Sequence, residues 1–515
     1  MLCVPTLISA ILVFWNVQSL GLTYWDEYYY TETAKWFLGV SGGWFAIYEP
    51  PGFSMAIALF WRLFGVHDFV AIAVSGSFAV LTVALISILG FKYFGVEVGV
   101  VAPLLLSFMP FFLYYSRLAV ADMALTFFFS AAVLASYAAL RSGKHREMLL
   151  AGLLMAICTG LKYNGFMAWL IPAFYMPVIA ASERSGKRFA VLKRSVKTLL
   201  LMIIPTVIGL LSWFYVLGVP TGTSKHFSSH QLIHLISPRI LLAGISKFRS
   251  VVLTSHSGQL ALTPLLSAPF YVQVLSMWVT IPVLLLALLG VMRRTIKEEP
   301  EFYVVFWFIA PFLIFSSIPG TFQRAILPLL PPLSLLAAIG LRRVGRAVQI
   351  ILNAKIKFIP NLHAIVSYSI LILILTLTLY PAYHAVADTH AGYRQAGNIL
   401  NSLPGGMQVY CLCQPVIYFY YQVNFTVTNP TNLPSNGYVV IDFTGYLQGH
   451  MTASAIQSLE SQVSDGHLKL VASVPLDLPQ PLYLDGLSFS QIAELNSTYT
   501  YIRIYQIVNG TQVHS

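Results

Sequence analysis

The chain has 515 residues, 57% of them hydrophobic and only 10% charged, with a mean hydropathy of +0.74 and a net charge of +11. So little polar surface cannot cover a soluble fold of this length, so the composition excludes a water-soluble protein and implies a polytopic membrane protein. The basic residues recur in short clusters along the chain, a pattern of membrane topology and not of nucleic-acid binding.

Apolar stretches of spanning length fall at 2–20, 69–90, 96–115, 121–140, 148–162, 165–181, 198–218, 271–292, 302–318, 325–341 and 362–382. The first has no basic leader and no small-residue cleavage signal, and reads as a retained span. A shorter amphipathic stretch near 53–65 reads as an interfacial helix. Eleven spans place the two ends of the chain on opposite sides. With the N-terminus cytoplasmic, eighteen of the 30 Lys and Arg residues fall in short cytoplasmic connections. The loops at 21–66, 219–270 and 319–324, and everything after 383, are then extracytoplasmic.

After 383 the composition shifts toward Gly, Asn, Ser and Thr. A helix at 391–402, strands at Met407–Cys413, Tyr438–Phe443, Leu468–Val474 and Tyr499–Val508, and a helical piece at Pro415–Gln422 predict a small α/β domain over 383–515. The three Asn-x-Ser/Thr sequons, at Asn424, Asn496 and Asn509, all fall in this part. Four cysteines are too few for a disulfide framework. Cys411 and Cys413 have the spacing of one strand face, where a mutual disulfide is strained.

Five outer-side features carry chemistry. Asp26-Glu27 sits among Tyr24, Trp25 and Tyr28–Tyr30. Glu49 precedes Pro50-Pro51. Ser116-Arg117 is followed by Asp122, Lys162 stands in Gly160-Leu161-Lys162-Tyr163-Asn164-Gly165, and Gln323-Arg324 precedes Pro328 and Pro331-Pro332. Acids and strong cations at one membrane face fit a sugar joined to a lipid phosphate. Departure of the phosphate needs preorganised cations, and the attacking hydroxyl needs a carboxylate base. One base with several cations fits a single inverting displacement; retention would want a second, close carboxylate as nucleophile. The acid-free 219–270 loop holds His226, His230, His234 and His256, the first three at helical i, i+4, i+8 spacing. Attraction of a lipid phosphate, binding of anionic headgroups, and a divalent metal held together with Glu49 are competing readings; catalysis does not require the metal.

The order of these motifs resembles the GT-C glycosyltransferases, in the branch of the protein O-mannosyltransferases and aminoarabinose transferases. The likeness covers about 1–345 and, more loosely, the C-terminal part. It implies an all-α membrane domain over 1–382 with about eleven helices, followed by an extracytoplasmic α/β domain. It also implies transfer of a sugar, mannose or another hexose first, from a polyprenyl- or dolichyl-phosphate donor. The acceptor is a hydroxyl of a protein, glycolipid or lipid-linked glycan. Asp26 is expected as the base, with Glu27 beside it. Arg117, Lys162 and Arg324 are expected at the donor phosphate, and Glu49, Asp122, Asn164 and Tyr28 around sugar or acceptor, with Asp122 holding Arg117 or the sugar. Relatives carry His or Lys where this chain has Glu49, which points to a different acceptor or a metal ligand. The Trp-Trp-Asp-Tyr-Gly signature of oligosaccharyltransferases is absent. The expected location is the cell membrane with the active site outside, or the endoplasmic reticulum in a eukaryote. A lipid-sugar transporter or a non-catalytic assembly subunit is the alternative; few charges inside the predicted spans disfavour a transport pathway.

Overall fold

The computed structural model describes residues 3–23, 25–46, 49–182, 188–218, 242–243, 245–246, 265–291, 299–317, 322–353, 362–387, 392–404, 407–413, 415–421, 425–426, 436–442, 453–476 and 501–508. His226, His230, His234, His256 and the sequon asparagines Asn424, Asn496 and Asn509 lie outside these residues. Among the described residues, eight helices are long and apolar enough to cross a membrane, or ten if each of two bent pairs is one span.

Helix α1 (Cys3–Phe14) is followed by α2 (Trp25–Leu38), which begins with Asp26 and Glu27 in its first turn. Carboxylates there face the positive end of the helix dipole. The short apolar helix α3 (Gly52–Phe64) starts directly after Pro50-Pro51. A short helix is therefore present at the stretch expected near 53–65, with Leu59, Leu63 and Phe64 exposed.

Helix α4 (Asp68–Leu89) runs into a π-turn at Gly90–Phe94. The stretch expected as one span at 96–115 is instead α5 (Val96–Ser107) and α6 (Pro110–Ser116), bent by 66°. Pro110 excludes α conformation at Met109, so the helix restarts in a new direction. Helices α7 (Asp122–Ser142) and α8 (His145–Leu161) form a hairpin turned by Gly143, which takes a left-handed φ of 67°. Their packing brings the start of α7 and the end of α8 to the same face. Helix α8 has 17 residues, opens on His145-Arg146-Glu147 and covers all but the last residue of the stretch expected at 148–162.

After α8 the chain takes seven residues of 3₁₀ winding at Tyr163–Trp169, then α9 (Leu170–Ser182) and the long α10 (Arg188–Gly218). The expected span at 271–292 is again a bent pair, α11 (Ala268–Trp278) and α12 (Ile281–Val291), at 115°. Thr280 at the corner has φ 72°, and Pro282 follows it by two residues. Helix α13 (Glu299–Ser317) leads toward a second seven-residue 3₁₀ stretch, Gln323–Leu329, which feeds α14 (Leu330–Asn353). Pro331 and Pro332 fall in the first turn of α14, where a missing N–H costs nothing. This helix is the axis of the bundle, and its first half, Leu330–Leu341, is wholly buried. It crosses α12 at two small residues: a Cβ on Gly340 would stand 1.9 Å from the Leu286 carbonyl, and one on Gly290 would stand 2.0 Å from that of Leu336. In a membrane such close approach replaces the hydrophobic drive for helix association.

Helix α15 (Leu362–Ala387) is the last long span. Beyond it lie α16 (Gly392–Ser402), the helical turn α17 (Ile417–Tyr420), α18 (Ala453–Ser464) and a five-stranded sheet. The strands are β1 (Val409–Leu412), β2 (Phe425–Thr426), β3 (Gly437–Asp442), β4 (Leu468–Pro475) and β5 (Tyr501–Ile507), in the order β2-β1-β3-β5-β4. β1 runs parallel to β2 and β3, and β5 runs antiparallel to β3 and β4. Cys411 and Cys413 are joined in a disulfide, contrary to the sequence expectation. The strand ends at Leu412, and the bend there brings the Cα atoms to 5.3 Å, inside the usual range.

This layer docks on the bundle through one polar knot. Arg394 of α16 donates to Asp68 at 2.6 and 3.0 Å, and Tyr420 donates to the same carboxylate oxygen at 2.5 Å. The Leu22 N–H in turn donates to the Tyr420 hydroxyl at 2.6 Å. Apolar packing continues it, with Phe419 against Trp61 and Tyr418 against Tyr28.

One close approach packs α8 against α10 and α3. Gly160 lies under the Trp213 indole, where a Cβ would stand 1.7 Å from Nε1, while a Cβ on Gly52 would stand 2.5 Å from the Gly160 carbonyl. Ala in place of Gly normally gains about 1 kcal/mol in a helix interior, but overpacking costs about 1–3 kcal/mol. Gly160→Ala should therefore lower the thermal unfolding temperature in detergent, and Trp213→Ala should restore part of the loss; a more stable Gly160→Ala protein would contradict the packing.

Candidate active site at the end of the helix bundle

Four of the expected residues meet as a chain of charges. Arg324, from the 3₁₀ stretch before α14, forms an ion pair with Asp26 of α2. The same guanidinium nitrogen lies 4.0 Å from Oδ2 of Asp122. Lys162, at the C-terminal end of α8, donates to Oδ1 of Asp122 at 2.9 Å. The α7–α8 hairpin explains this last pair. An acid at a helix start and a base at the neighbouring helix's end meet at one face, each at the dipole end that favours it. Oδ2 of Asp122 is buried without a hydrogen-bond partner among the described residues.

Glu49 is the fifth member. Burial pushes its carboxyl up to about 7; Asp26 and Asp122 add to the rise, while Lys162 and Arg324 oppose it. The cluster thus holds three carboxylates against two cations, and one of the three carries its proton near neutral pH. Asn164, two residues after Lys162, has a buried Oδ1 with no partner among the described residues.

Arg117 and Glu27 sit elsewhere, each for a clear reason. The Arg117 guanidinium donates to the carbonyls of Leu12, Val13 and Trp15 at 3.3, 2.8 and 2.7 Å, and to that of Val386 at 3.1 Å. It caps the end of α1 and ties it to the end of α15. It reaches neither Asp122 nor the ion-pair chain among the described contacts, and Asp122 pairs Lys162 instead. Glu27 is fully buried, and its carboxylate accepts from the Thr23 N–H at 2.6 Å, the Thr23 hydroxyl at 3.1 Å and the Ala119 N–H at 2.5 Å. It holds the turn between Arg117 and Asp122 against α2. Tyr28 lies at the rim, where its hydroxyl accepts from Trp44 Nε1 at 3.3 Å and its ring meets Tyr29, Trp44 and Tyr418.

Tyr30 belongs to the cluster and was not expected from the sequence. Its buried hydroxyl has no partner among the described residues. Burial raises its pKa well above the usual value, and Glu49, Asp26 and Asp122 raise it further. The signal was available: Tyr30 stands four residues after Asp26, on the same helix face. Among the described residues no group of three or more His, Cys, Asp or Glu is arranged to hold a metal ion. Glu49, the one described member of the suggested metal set, faces the ion-pair chain.

Removing Arg117 should cost stability without touching the cluster. Arg117→Ala leaves buried carbonyls unpaired, at a cost of about 3 kcal/mol. Calorimetry in detergent should show the loss, while binding of a polyprenyl phosphate to the folded fraction should stay unchanged.

Residues 48–213 match the family described as dolichyl-phosphate-mannose-protein mannosyltransferase. The undecaprenyl phosphate-alpha-4-amino-4-deoxy-L-arabinose arabinosyl transferase of Photorhabdus laumondii is 24% identical over 238 residues, 42% of this chain. The match spans about a third, 36%, of that relative's length. ArnT from Cupriavidus metallidurans, solved bound to undecaprenyl phosphate, superposes with a TM-score of 0.57 at 14% identity, covering 99% of this chain and 98% of that one. The oligosaccharyltransferase AglB from Archaeoglobus fulgidus, solved with an inhibitory peptide and a dolichol-phosphate, gives 0.53 at 14% identity, covering 95% and 73%. The chain is thus similar, over part of its length, to the arabinosyl transferase and to the mannosyltransferase family, and it has the ArnT-like GT-C fold of an integral, multi-pass membrane protein.

Proposed function

We propose that this chain, kin to glycosyltransferases that use polyprenyl-phosphate sugars, is itself an inverting membrane glycosyltransferase. It takes a sugar, mannose or another hexose, from a polyprenyl or dolichyl phosphate and delivers it to a hydroxyl of a protein, glycolipid or lipid-linked glycan. The observation that carries the reading is the chain Asp26–Arg324–Asp122–Lys162, two ion pairs that one arriving phosphate can open.

The chemistry follows from who holds the cations. Arg324 is engaged by Asp26, and Lys162 by Asp122. A donor phosphate competes for both. As Arg324 turns to the phosphate, Asp26 is released to accept a proton. The acceptor hydroxyl oxygen attacks the anomeric carbon opposite the phosphate, and its proton passes to Asp26. The bond from carbon to phosphate oxygen breaks, and its electron pair leaves with the phosphate between Arg324 and Lys162. Asp122 keeps Lys162 aimed, and Asn164 and Tyr30 offer polar atoms to sugar hydroxyls. Glu27 and Arg117 act as positioning residues for the loop and helix ends around Asp122, in place of the catalytic and phosphate roles their sequence positions suggested. Tyr28 lines the entry for the acceptor.

The remaining features fit the same reading. Residues 383–515 form an outer domain that caps the site through Tyr418–Tyr420. The end of the bundle that carries Arg141, Lys144 and Arg342–Arg346 lies in the cytoplasm, and the site opens to the outside or to the endoplasmic reticulum lumen. No metal is needed for the step described.

Asp26→Asn should lower transfer of labelled sugar from a polyprenyl phosphate by about 10²–10⁴-fold while leaving donor binding intact. Near-normal turnover would remove Asp26 from the base role. Glu49 predicts a pH dependence. Its carboxyl is raised from 4.5 to about 7, so it is neutral below that value and charged above it. Donor binding should strengthen as pH falls through about 7, because one anion opposing the phosphate is lost, and Glu49→Gln should flatten the profile. The linked stability runs in the same direction: the contribution is full below about 4.5 and is lost as pH rises through about 7.

A further inference from the structure

A second group of cations lies at the far end of the bundle, outside the reaction described above. A cavity of about 360 Å³ is lined by Tyr93, Phe94, Pro300, Glu301, Arg342, Arg343 and Arg346. It gathers the end of α4's π-turn, the start of α13 and the last turns of α14. Helical rise along α14 and its 3₁₀ lead-in puts it roughly 30 Å from Arg324, the thickness of a bilayer core. We propose that this cavity binds the phosphate-bearing headgroup of an anionic membrane lipid.

Charges that only orient a membrane protein need no more than contact with water. Arg342 is placed differently. Its guanidinium is turned inward, donating to the Phe94 carbonyl and lying 3.5 Å from Glu301, while Arg343 meets the other Glu301 oxygen at 2.8 Å. Nε of Arg342 is a buried donor with no partner among the described residues. Arg346 stands one helical turn beyond Arg342, on the same face, and is exposed at the mouth. Two carboxylates, Glu301 and Glu97, face Arg342, and they leave three guanidinium groups with a net positive charge. A phosphate oxygen would satisfy the Arg342 Nε and engage Arg346 by charge-assisted hydrogen bonds. The volume falls in the ~300–1,000 Å³ range of small-ligand sites.

The surroundings favour a lipid over a free anion. On the topology proposed above, the cavity opens at the cytoplasmic end of the spans, where headgroups lie. Its walls Tyr93, Phe94 and Pro300 also line a narrow apolar crevice with Leu89, Leu134 and Trp307. Phe91, on the same π-turn, is exposed beside it. A headgroup can thus enter while its acyl chains stay in the bilayer, as in other basic pockets between membrane helices.

The test reads binding, not transfer, so its failure is distinct from failure of the proposed reaction. The purified protein in neutral detergent is titrated with dioctanoyl phosphatidylglycerol, dioctanoyl phosphatidylcholine or inorganic phosphate, and unfolding is followed by tryptophan fluorescence. Phosphatidylglycerol should raise the unfolding temperature saturably, and phosphatidylcholine should not. Arg346→Gln, at an exposed position that spares the fold, should weaken the apparent affinity about fivefold. Arg342→Gln with Arg346→Gln should abolish the shift. Lys144→Gln, which removes an exposed charge on another loop, should keep it. Equal shifts from both lipids, or equal losses from Arg346→Gln and Lys144→Gln, would overturn the site. A full shift from inorganic phosphate at the same concentration would overturn the lipid assignment while leaving an anion site.

Discussion

A charge withdrawn from water at the end of a helix bundle has to find a partner, and here the partners come from distant parts of the chain. Asp26, Asp122, Lys162 and Arg324 are linked by two ion pairs and one closer approach. Breaking one such pair leaves its partner buried and uncompensated, which is far more costly than the pair is favourable. The loop helix α2, the α7–α8 hairpin and the turn before α14 are therefore held in register by electrostatic necessity. That constraint gives the bundle a polar end whose composition is otherwise at odds with its surroundings.

The same logic recurs where the sheet layer meets the bundle. Asp68, nearly buried at the start of α4, is satisfied by Arg394 and Tyr420 from the C-terminal part. A carboxylate left there alone would be costly, so the bundle depends on the C-terminal residues to complete it. The docking turn Ile417–Tyr420 also lies against α2, with Phe419 within 4.4 Å of the Lys35 ammonium. The layer that caps the bundle thus touches the helix that carries Asp26.

Much of this was legible in the sequence. Long apolar runs marked most of the long helices, although eleven spans were expected and eight, or ten with the bent pairs, are long and apolar enough among the described residues. Asp26, Lys162, Asp122 and Arg324 could be grouped because topology alone sends them to one face. Bends could not be read so directly: hydropathy counts residues but carries no direction, so the pairs broken at Met109 and Thr280 looked like single spans. Arg117 and Glu27 stand apart from the ion-pair chain for a related reason. Their partners are mainly backbone groups, at Leu12, Val13, Trp15 and Val386 for one and at Thr23 and Ala119 for the other. A sequence displays every charge but no free carbonyl or N–H. Tyr30 could have been picked out of its run of three, because it alone stands a helical turn after Asp26.

The two cations of the cluster share a setting. Lys162 immediately precedes one seven-residue 3₁₀ stretch, and Arg324 stands at the start of the other. Such winding rises about 2.0 Å per residue, against 1.5 Å in an α-helix, and seldom runs so long. Each stretch therefore holds roughly 3.5 Å of slack length. Rewinding either one as α-helix would draw its cation back by more than the span of a hydrogen bond. Lysine and arginine are mounted on extensible stems, and the reach of each toward an anion is set by the winding of the backbone beneath it.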